Sequence, residues 1–242
     1  MKRLPLTAAL LFLGLTACAC SSSNHGAVSS GQSQPTHITQ TPTPATSSDI
    51  TVDKVGYAWG NASDLTSCCP IWRAAALVTN RSNQPAQNVL AQYTAYGADG
   101  KVAGTTSETL SAVPPGQQGL TADFLNVTEA ITKVVLQMQV GGYGPGPATV
   151  DSTIKTQNIQ LTQGRGGNAN EYTVTGEVVS QQSQPQNNIK VEALAFDDSG
   201  TVVGGGAAQL QLLPGGGAAA GVTVTVFALT KPAKVSLYTL PA

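Results

Sequence analysis

The sequence predicts an all-β protein in which two tandem β-sandwich domains follow a signal peptide and a disordered linker. Three observations carry this prediction. Short stretches of alternating polarity are separated by turn residues, in a chain with 26 Gly and 14 Pro among 242 residues. No segment has the capped, 3.6-residue periodicity of an amphipathic helix. The strand pattern also occurs twice, at an offset of about 100 residues, which is typical of a duplicated domain.

Each copy is predicted to contain six strands. In the first copy they lie at residues 51–59, 72–80, 88–96, 101–110, 119–125 and 132–140. In the second copy they lie at residues 154–161, 172–180, 188–196, 201–212, 218–227 and 233–240. Asp99-Gly100 and Ser199-Gly200 stand where each copy must reverse direction, and Gly accepts the positive φ of a hairpin turn. Six short antiparallel strands in about 90 residues favour an immunoglobulin-like sandwich.

Several sequence marks recur in nearly one register and define the two copies. The recurring pairs are Gln84-Pro85 with Gln184-Pro185, Asp99-Gly100 with Ser199-Gly200, and Pro115-Gly116 with Pro214-Gly215. We therefore expect domains at residues 51–140 and 152–242, joined by a Gly/Pro linker at residues 141–151. A domain of about 90 residues is long enough for a modest core of its own. Each copy is expected to fold separately, with few contacts between them.

Residues 1–17 have the features of an export signal. Lys2 and Arg3 precede an apolar run, residues 4–17, that is too short to span a bilayer. The run ends in Leu15-Thr16-Ala17-Cys18, which resembles the lipobox of bacterial lipoprotein signal peptides. The resemblance implies a diacylglyceryl group on the Cys18 sulfur, cleavage before Cys18, and an acyl chain such as palmitate on the new amino terminus. The alternative is an ordinary secretory signal cut near Ala19.

Residues 18–49 are predicted to form a disordered tether, because Ser, Thr, Gln and Pro dominate and too little apolar surface exists to offset the ordering entropy. Its r.m.s. reach is roughly 30 Å by flexible-chain scaling. Together with an acyl anchor at Cys18, such a tether would place the folded domains outside the cell membrane, on its extracytoplasmic side.

The third strand of each copy and its hairpin resemble a degenerate form of the FxLYD domain, an extracytoplasmic β-sandwich module of bacterial surface proteins. The matching positions are Tyr93, Ala95 and Tyr96 in the first copy, and Ala195, Phe196 and Asp197 in the second. Val113-Pro114-Pro115-Gly116 and Leu213-Pro214-Gly215 resemble the later Leu-x-Pro-Gly turn of that domain. The resemblance implies a binding or spacing module, with no catalytic residues to carry over.

Composition excludes several function classes. The only histidines, His25 and His37, lie in the predicted tether, so the folded part has none for a Ser/His/Asp triad or a zinc site. The net charge of −1 leaves no basic field for nucleic acid. We expect no catalytic residue, no cofactor and no metal; the acidic turn Asp197-Asp198 is explained by a solvated hairpin.

Trp59 and Trp72 are the only tryptophans, and both flank a loop of the first copy. A Trp beside a loop can stack on a sugar ring or anchor a protein partner, whereas a Trp in a sandwich is commonly a core residue. The two residues are therefore candidate binding residues with a structural alternative.

Two functional hypotheses follow. The first is a membrane-anchored, non-enzymatic surface lipoprotein whose sandwiches bind an envelope protein or wall glycan, or act as a spacer. The second is an envelope enzyme or accessory subunit that uses carboxylate chemistry. A deep pocket with two close acids of raised pKa would favour the second hypothesis.

Cys68 and Cys69 are adjacent in an exported chain, where disulfides persist, and we predict a local structural role for them. A vicinal bridge would leave the fold evenly paired, although adjacent Cα atoms lie only ~3.8 Å apart and the ring would be strained. Free thiols and a bridge to Cys20 are the alternatives. Peptide mapping without reductant is expected to recover the two cysteines in one oxidised peptide. A peptide linked to Cys20, or alkylation of both thiols in the folded protein, would exclude the vicinal bridge.

Overall fold

The computed structural model describes residues 49–60, 71–124, 127, 129–144, 153–164 and 169–241. Strands make up most of this part of the chain, and none of the described residues is helical, so the predicted all-β class is confirmed. The strands of the first copy are β1 (Ile50–Gly60), β2 (Ile71–Asn80), β3 (Ala86–Gly97), β4 (Val102–Val113), β5 (Gly116–Phe124) and β6 (Ile131–Tyr143). Those of the second copy are β7 (Lys155–Gln163), β8 (Glu171–Val179), β9 (Gln186–Phe196), β10 (Val202–Leu213), β11 (Ala219–Ala228) and β12 (Lys234–Pro241).

The duplication is visible in the strand order. In the first copy β1-β2-β5 form one sheet and β4-β3-β6 form another. The second copy contains the corresponding groups, β7-β8-β11 and β10-β9-β12, joined into one six-stranded sheet where β10 pairs with β11 at Gly204 and Gly205. Asn88 and Asn188 occupy equivalent points of β3 and β9, with φ of 50° and 57°. The two copies therefore share a topology and also a local backbone irregularity.

The two sheets of the first copy enclose a hydrophobic core. Trp72, Ala74, Ala76 and Val78 alternate along β2 and point toward residues of β3 and β6. Tyr93 and Phe124 are among the largest fully or almost fully buried side chains of this core. The second copy has a corresponding core, whose β9 members are Ile189, Val191, Ala193 and Ala195. The period-two pattern of the sequence is thus the pattern of core-facing side chains.

Both predicted hairpin turns are present. Gly100 and Gly200 each have a φ of 76°, a conformation that suits glycine. In the first turn Asp99 Oδ1 accepts a hydrogen bond from the Lys101 amide at 2.9 Å. In the second turn Asp197 Oδ1 accepts hydrogen bonds from the amides of Ser199 and Thr201 at 2.9 and 2.8 Å. The side chain of Asp197 therefore stabilises its turn.

The predicted linker differs from the structure at its start. β6 continues to Tyr143 because Gly142 and Tyr143 remain paired with Gln87 and Ala86 of β3. The Tyr143 hydroxyl also accepts a hydrogen bond from the Asp49 amide at 2.9 Å, beside the first residue of β1. The first residues of the predicted linker thus belong to a sheet of the first copy.

The expectation of few contacts between the copies is wrong. Ala75 and Leu77 alternate with the core residues of β2, and they pack against Leu194, Phe196 and Val202 of the second copy. Both copies belong to one compact unit. The outer face of β1-β2-β5 therefore lies against the outer face of β10-β9-β12, and we call this contact the seam. Separate folding of each copy stays a prediction, and it would expose Leu194 and Phe196.

Small residues allow the two faces of the seam to approach closely. Gly56, Ala58 and Gly60 alternate along β1, and a Cβ on Gly56 would overlap the carbonyl of Val202. A Cβ on Gly119 of β5 would likewise overlap the side chains of Leu194 and Tyr238. The seam is thus packed to the limit set by backbone and side-chain volume, which larger residues would exceed.

The substitution Gly56→Val is expected to lower the free energy of unfolding by about 2 kcal/mol or more, because the added atoms meet the backbone of the second copy. Gly221→Val is the matched control, since a Cβ on this strand glycine has open space. Urea unfolding of both variants measures the difference. Equal stability of Gly56→Val and Gly221→Val would show that the seam is not closely packed in solution.

Candidate functional site

Three of the predicted site residues, Cys18, Cys68 and Cys69, lie outside the described residues. The lipid anchor at Cys18 and the disulfide between Cys68 and Cys69 therefore remain predictions from the sequence. The structure describes the two remaining candidates, Trp59 and Trp72, at the end of β1 and the start of β2.

Trp59 and Trp72 are direct partners across the β1–β2 pair, with ring centroids 6.4 Å apart. Tyr57 lies on the other side of Trp72, at 6.1 Å. Trp72 is 9% exposed and belongs to the core, whereas Trp59 is 39% exposed. Trp72 is thus a core residue, which was the structural alternative for this position. Trp59 is the member of the pair that exposes ring surface to solvent.

The second copy has no counterpart of this exposed ring among its described residues. Its position equivalent to Trp72 is Tyr172, which is buried in the second core. β7, the counterpart of β1, contains no aromatic residue. The asymmetry seen in the sequence is therefore an asymmetry of exposed aromatic surface.

A second group of functional side chains lies at the seam and was not singled out from the sequence. The guanidinium group of Arg73 on β2 binds both carboxylate oxygens of Asp123 on β5, at 2.5 and 2.9 Å. It also donates a hydrogen bond to the carbonyl of Thr225 at 3.3 Å and lies 5.1 Å from the ring centre of Phe227. A planar guanidinium can make such bidentate and stacking contacts together. Arg73 therefore joins the first copy to β11 of the second.

Lys190 of β9 is the centre of a second charged cluster. Its Nζ lies 2.5 Å from Glu108 of the first copy and 2.8 Å from Glu192 Oε1. The hydroxyl of Thr121 donates a hydrogen bond to Glu192 Oε2 at 2.5 Å. Glu192 is fully buried, so its charge has no solvent to balance it and depends on these neighbours. We call Lys190, Glu108, Glu192 and Thr121 the seam cluster.

Burial determines the protonation behaviour of the seam cluster. It raises the pKa of Glu192 above its ordinary value, and contact with Lys190 and Thr121 reverses only part of that shift. Burial opposes the charge of Lys190, but the carboxylates of Glu192 and Glu108 raise its pKa overall. Burial also raises the pKa of Tyr93 well above the usual range, and the negative charges of Glu192 and Glu108 add to this. Among the described residues Tyr93 Oη has no hydrogen-bond partner.

The arrangement of the seam cluster suits cohesion better than catalysis. Glu108 and Glu192 are close, because both contact one nitrogen. However, Glu192 is fully buried, and it is not among the residues that line the two cavities beside the cluster. A general acid needs access to its substrate, and here one of the two acids lacks it. The cluster therefore links the copies through charge.

The sequence did not reveal the seam. Each strand of the seam has one face in a core, and the seam is formed by the opposite face of the same strands. Lys190 and Glu192 alternate with the core residues of β9, as they would on a solvated face. Leu194 and Phe196 continue the same face and are apolar. This face of β9 begins with polar residues and ends with apolar ones. The apolar end is the feature of the sequence that could have indicated a covered face.

Within the described residues, no group of three or more His, Cys, Asp or Glu side chains could hold a metal ion. No described helix is long and apolar enough to cross a membrane.

The substitution Glu192→Gln is expected to change how stability depends on pH. Because the folded state raises the pKa of Glu192 above 4.5, the wild type binds a proton more readily when folded. This group therefore makes the wild type less stable as the pH rises from about 4.5 through the raised pKa. The Gln variant lacks this loss, so its Tm relative to that of the wild type should rise as the pH increases above about 4.5.

The matched control is Glu177→Gln, since Glu177 is a half-exposed residue of β8 whose contacts are with Gln157 and Asn158 rather than with the seam. A Tm difference between Glu192→Gln and the wild type that is constant with pH would contradict the assignment.

No protein-family model matches this chain, and comparison with curated proteins likewise finds no match.

Proposed function

We propose that the protein is a bacterial surface lipoprotein, anchored through Cys18, that acts without enzymatic chemistry as a binding or spacer module on an envelope protein or wall glycan. The observation that carries the proposal is Leu15-Thr16-Ala17-Cys18 at the end of a short apolar run that follows Lys2 and Arg3. A Cys in this register receives two or more acyl chains in proteins with a lipobox, and two chains are needed for stable anchoring. The immunoglobulin-like topology and the FxLYD resemblance of the two sandwiches are parts of the same proposal.

The direction of β1 supports a binding role at the end of the first copy. β1 begins at Ile50, directly after the predicted tether, and ends at Gly60. A strand of this length spans roughly 30 Å. The exposed ring of Trp59 therefore lies at the end of β1 that is farther from the tether.

The seam supports a spacer role as well. The apolar contacts of Leu194 and Phe196 and the ionic contacts of Lys190 and Arg73 bind the copies to each other over one broad face. Two sandwiches held in this way act as a single body, since opening the seam would expose apolar side chains and unpair a buried carboxylate. A single body of this kind keeps its binding surface at a fixed distance from the end of the tether.

The rival proposal, an envelope enzyme with carboxylate chemistry, draws on Glu108 and Glu192. The two acids are close and burial raises the pKa of Glu192, as that chemistry would require. Both, however, contact Lys190, and Glu192 is inaccessible. The binding or spacer role therefore accounts for more of the described side chains.

Replacing Cys18 with Ser is expected to move the protein from the membrane fraction to the soluble fraction, or to leave it as the unprocessed precursor. Cys20→Ser is the matched control, because Cys20 lies two residues beyond the lipobox register and its loss should leave anchoring intact. Fractionation followed by Triton X-114 phase separation measures both effects. A processed Cys18→Ser protein that still requires detergent for release would contradict the anchor.

A further inference from the structure

Two cavities follow the seam on the side of β4. Their volumes are about 440 Å³ and about 330 Å³, and both are lined by Glu108, Lys190 and Ala207. Because the two cavities share these residues they adjoin, and we call them together the seam cleft. Residues 106–111 of β4, residues 121–123 of β5 and Arg73 line it from the first copy, and Lys190 and residues 207–209 of β10 line it from the second. None of these residues belongs to the proposed binding surface at Trp59.

The first copy borders the seam cleft with the edge of β4, and the second copy borders it with the seam-facing side of β9 and β10, because Ala207 and Gln209 pair with Glu192 and Lys190. Side chains of a strand alternate between two faces, so a cavity against a face is lined by every second residue. Here the consecutive residues 106–111 of β4 line the cleft, which places the backbone edge of this strand toward it. Residues 106–111 also include both inward residues, such as Leu110, and exposed ones, such as Thr109.

The edge of β4 that borders the cleft has no strand partner among the described residues. β4 is the outermost strand of the sheet β4-β3-β6 and pairs only with β3. An unpaired edge presents alternating amide and carbonyl groups, which are the recognition surface for another strand.

We propose that the seam cleft binds an extended peptide segment of a partner protein, which adds to the edge of β4 as a further strand. The exposed length of that edge, residues 106–111, corresponds to roughly 20 Å and accommodates about six peptide residues. Leu110, Ala207 and Ala208 offer apolar contacts to alternate side chains of the peptide, and the Glu108–Lys190 pair offers polar contacts at one point. Proline would be excluded from the positions that donate to β4.

The form and chemistry of the cleft favour a peptide over the other envelope ligands. The residues that line it include no aromatic side chain in the part of the chain that the structure describes, so a sugar ring has no platform to stack on. The unpaired amide and carbonyl groups of β4 are the groups that an extended peptide backbone can match. This inference rests on the proposed binding role and deepens it, because it names the class of partner.

The test uses the full-length processed protein in detergent micelles and a phage-displayed library of random twelve-residue peptides. Thr109→Trp fills the cleft from an exposed position, and Ser111→Trp does so from a second exposed position. Thr105→Trp is the matched control, because Thr105 is exposed on the same strand but does not line the cleft. Peptides enriched on the wild type should bind Thr105→Trp equally well and should lose at least about tenfold in affinity for both cleft variants.

Backbone methylation then distinguishes strand addition from side-chain binding. N-methylation of one alternating set of peptide nitrogens should weaken binding about tenfold or more, whereas methylation of the other set should have little effect. Failure to enrich any peptide, equal binding to Thr109→Trp and Ser111→Trp, or indifference to both methylated sets would overturn the proposal. Binding of soluble wall-glycan fragments that the cleft variants abolish would overturn it as well. Fractionation of Cys18→Ser reports on anchoring alone, so the failure of either proposal is recognisable without the other.

Discussion

β2 and β9 are each buried on both faces, and this double burial organises the whole molecule. One face of β2 completes the core of the first copy, while Ala75 and Leu77 on the other face meet Leu194 and Phe196 of β9. Backbones can approach closely enough for this contact because glycines such as Gly56 stand where any Cβ would overlap the opposite copy. This close packing restricts how one copy can be placed on the other, because a shift would bring larger side chains into the space left by the glycines.

The ionic contacts follow from the same constraint. Once the two faces meet, Glu192 lies in a region from which water is excluded, and an unpaired charge there would be strongly destabilising. Glu108 and Thr121 supply partners from the first copy, and Arg73 makes a parallel connection to the backbone of β11. Charges of this kind add little to stability when compared with apolar packing, but they penalise any other register of the two copies.

The proposed activity places anchoring, spacing and recognition on separate parts of the chain. The acyl chains on Cys18 would anchor the protein in the membrane, and the predicted tether would set the distance between the membrane and the folded domains. The two packed copies would present two different surfaces. One surface is the exposed ring of Trp59 at the end of β1. The other is the seam cleft, which exists only because the copies pack together and bring the edge of β4 beside the outer face of β9 and β10. A duplicated domain thus gains a recess that a single copy would lack.

The sequence predicted the strands, the turns and the duplication, because each depends on local chemistry. Alternating polarity marks core-facing residues, and Gly100 and Gly200 mark turns that need a positive φ. It also identified Trp59 and Trp72, although only the structure separated the exposed ring from the core residue. The seam was decided by tertiary structure, since a face that covers another copy and a face that meets solvent can carry the same residues. Contact between faces about 100 residues apart in the chain depends on shape and on space for Cβ atoms, which a one-dimensional pattern does not record.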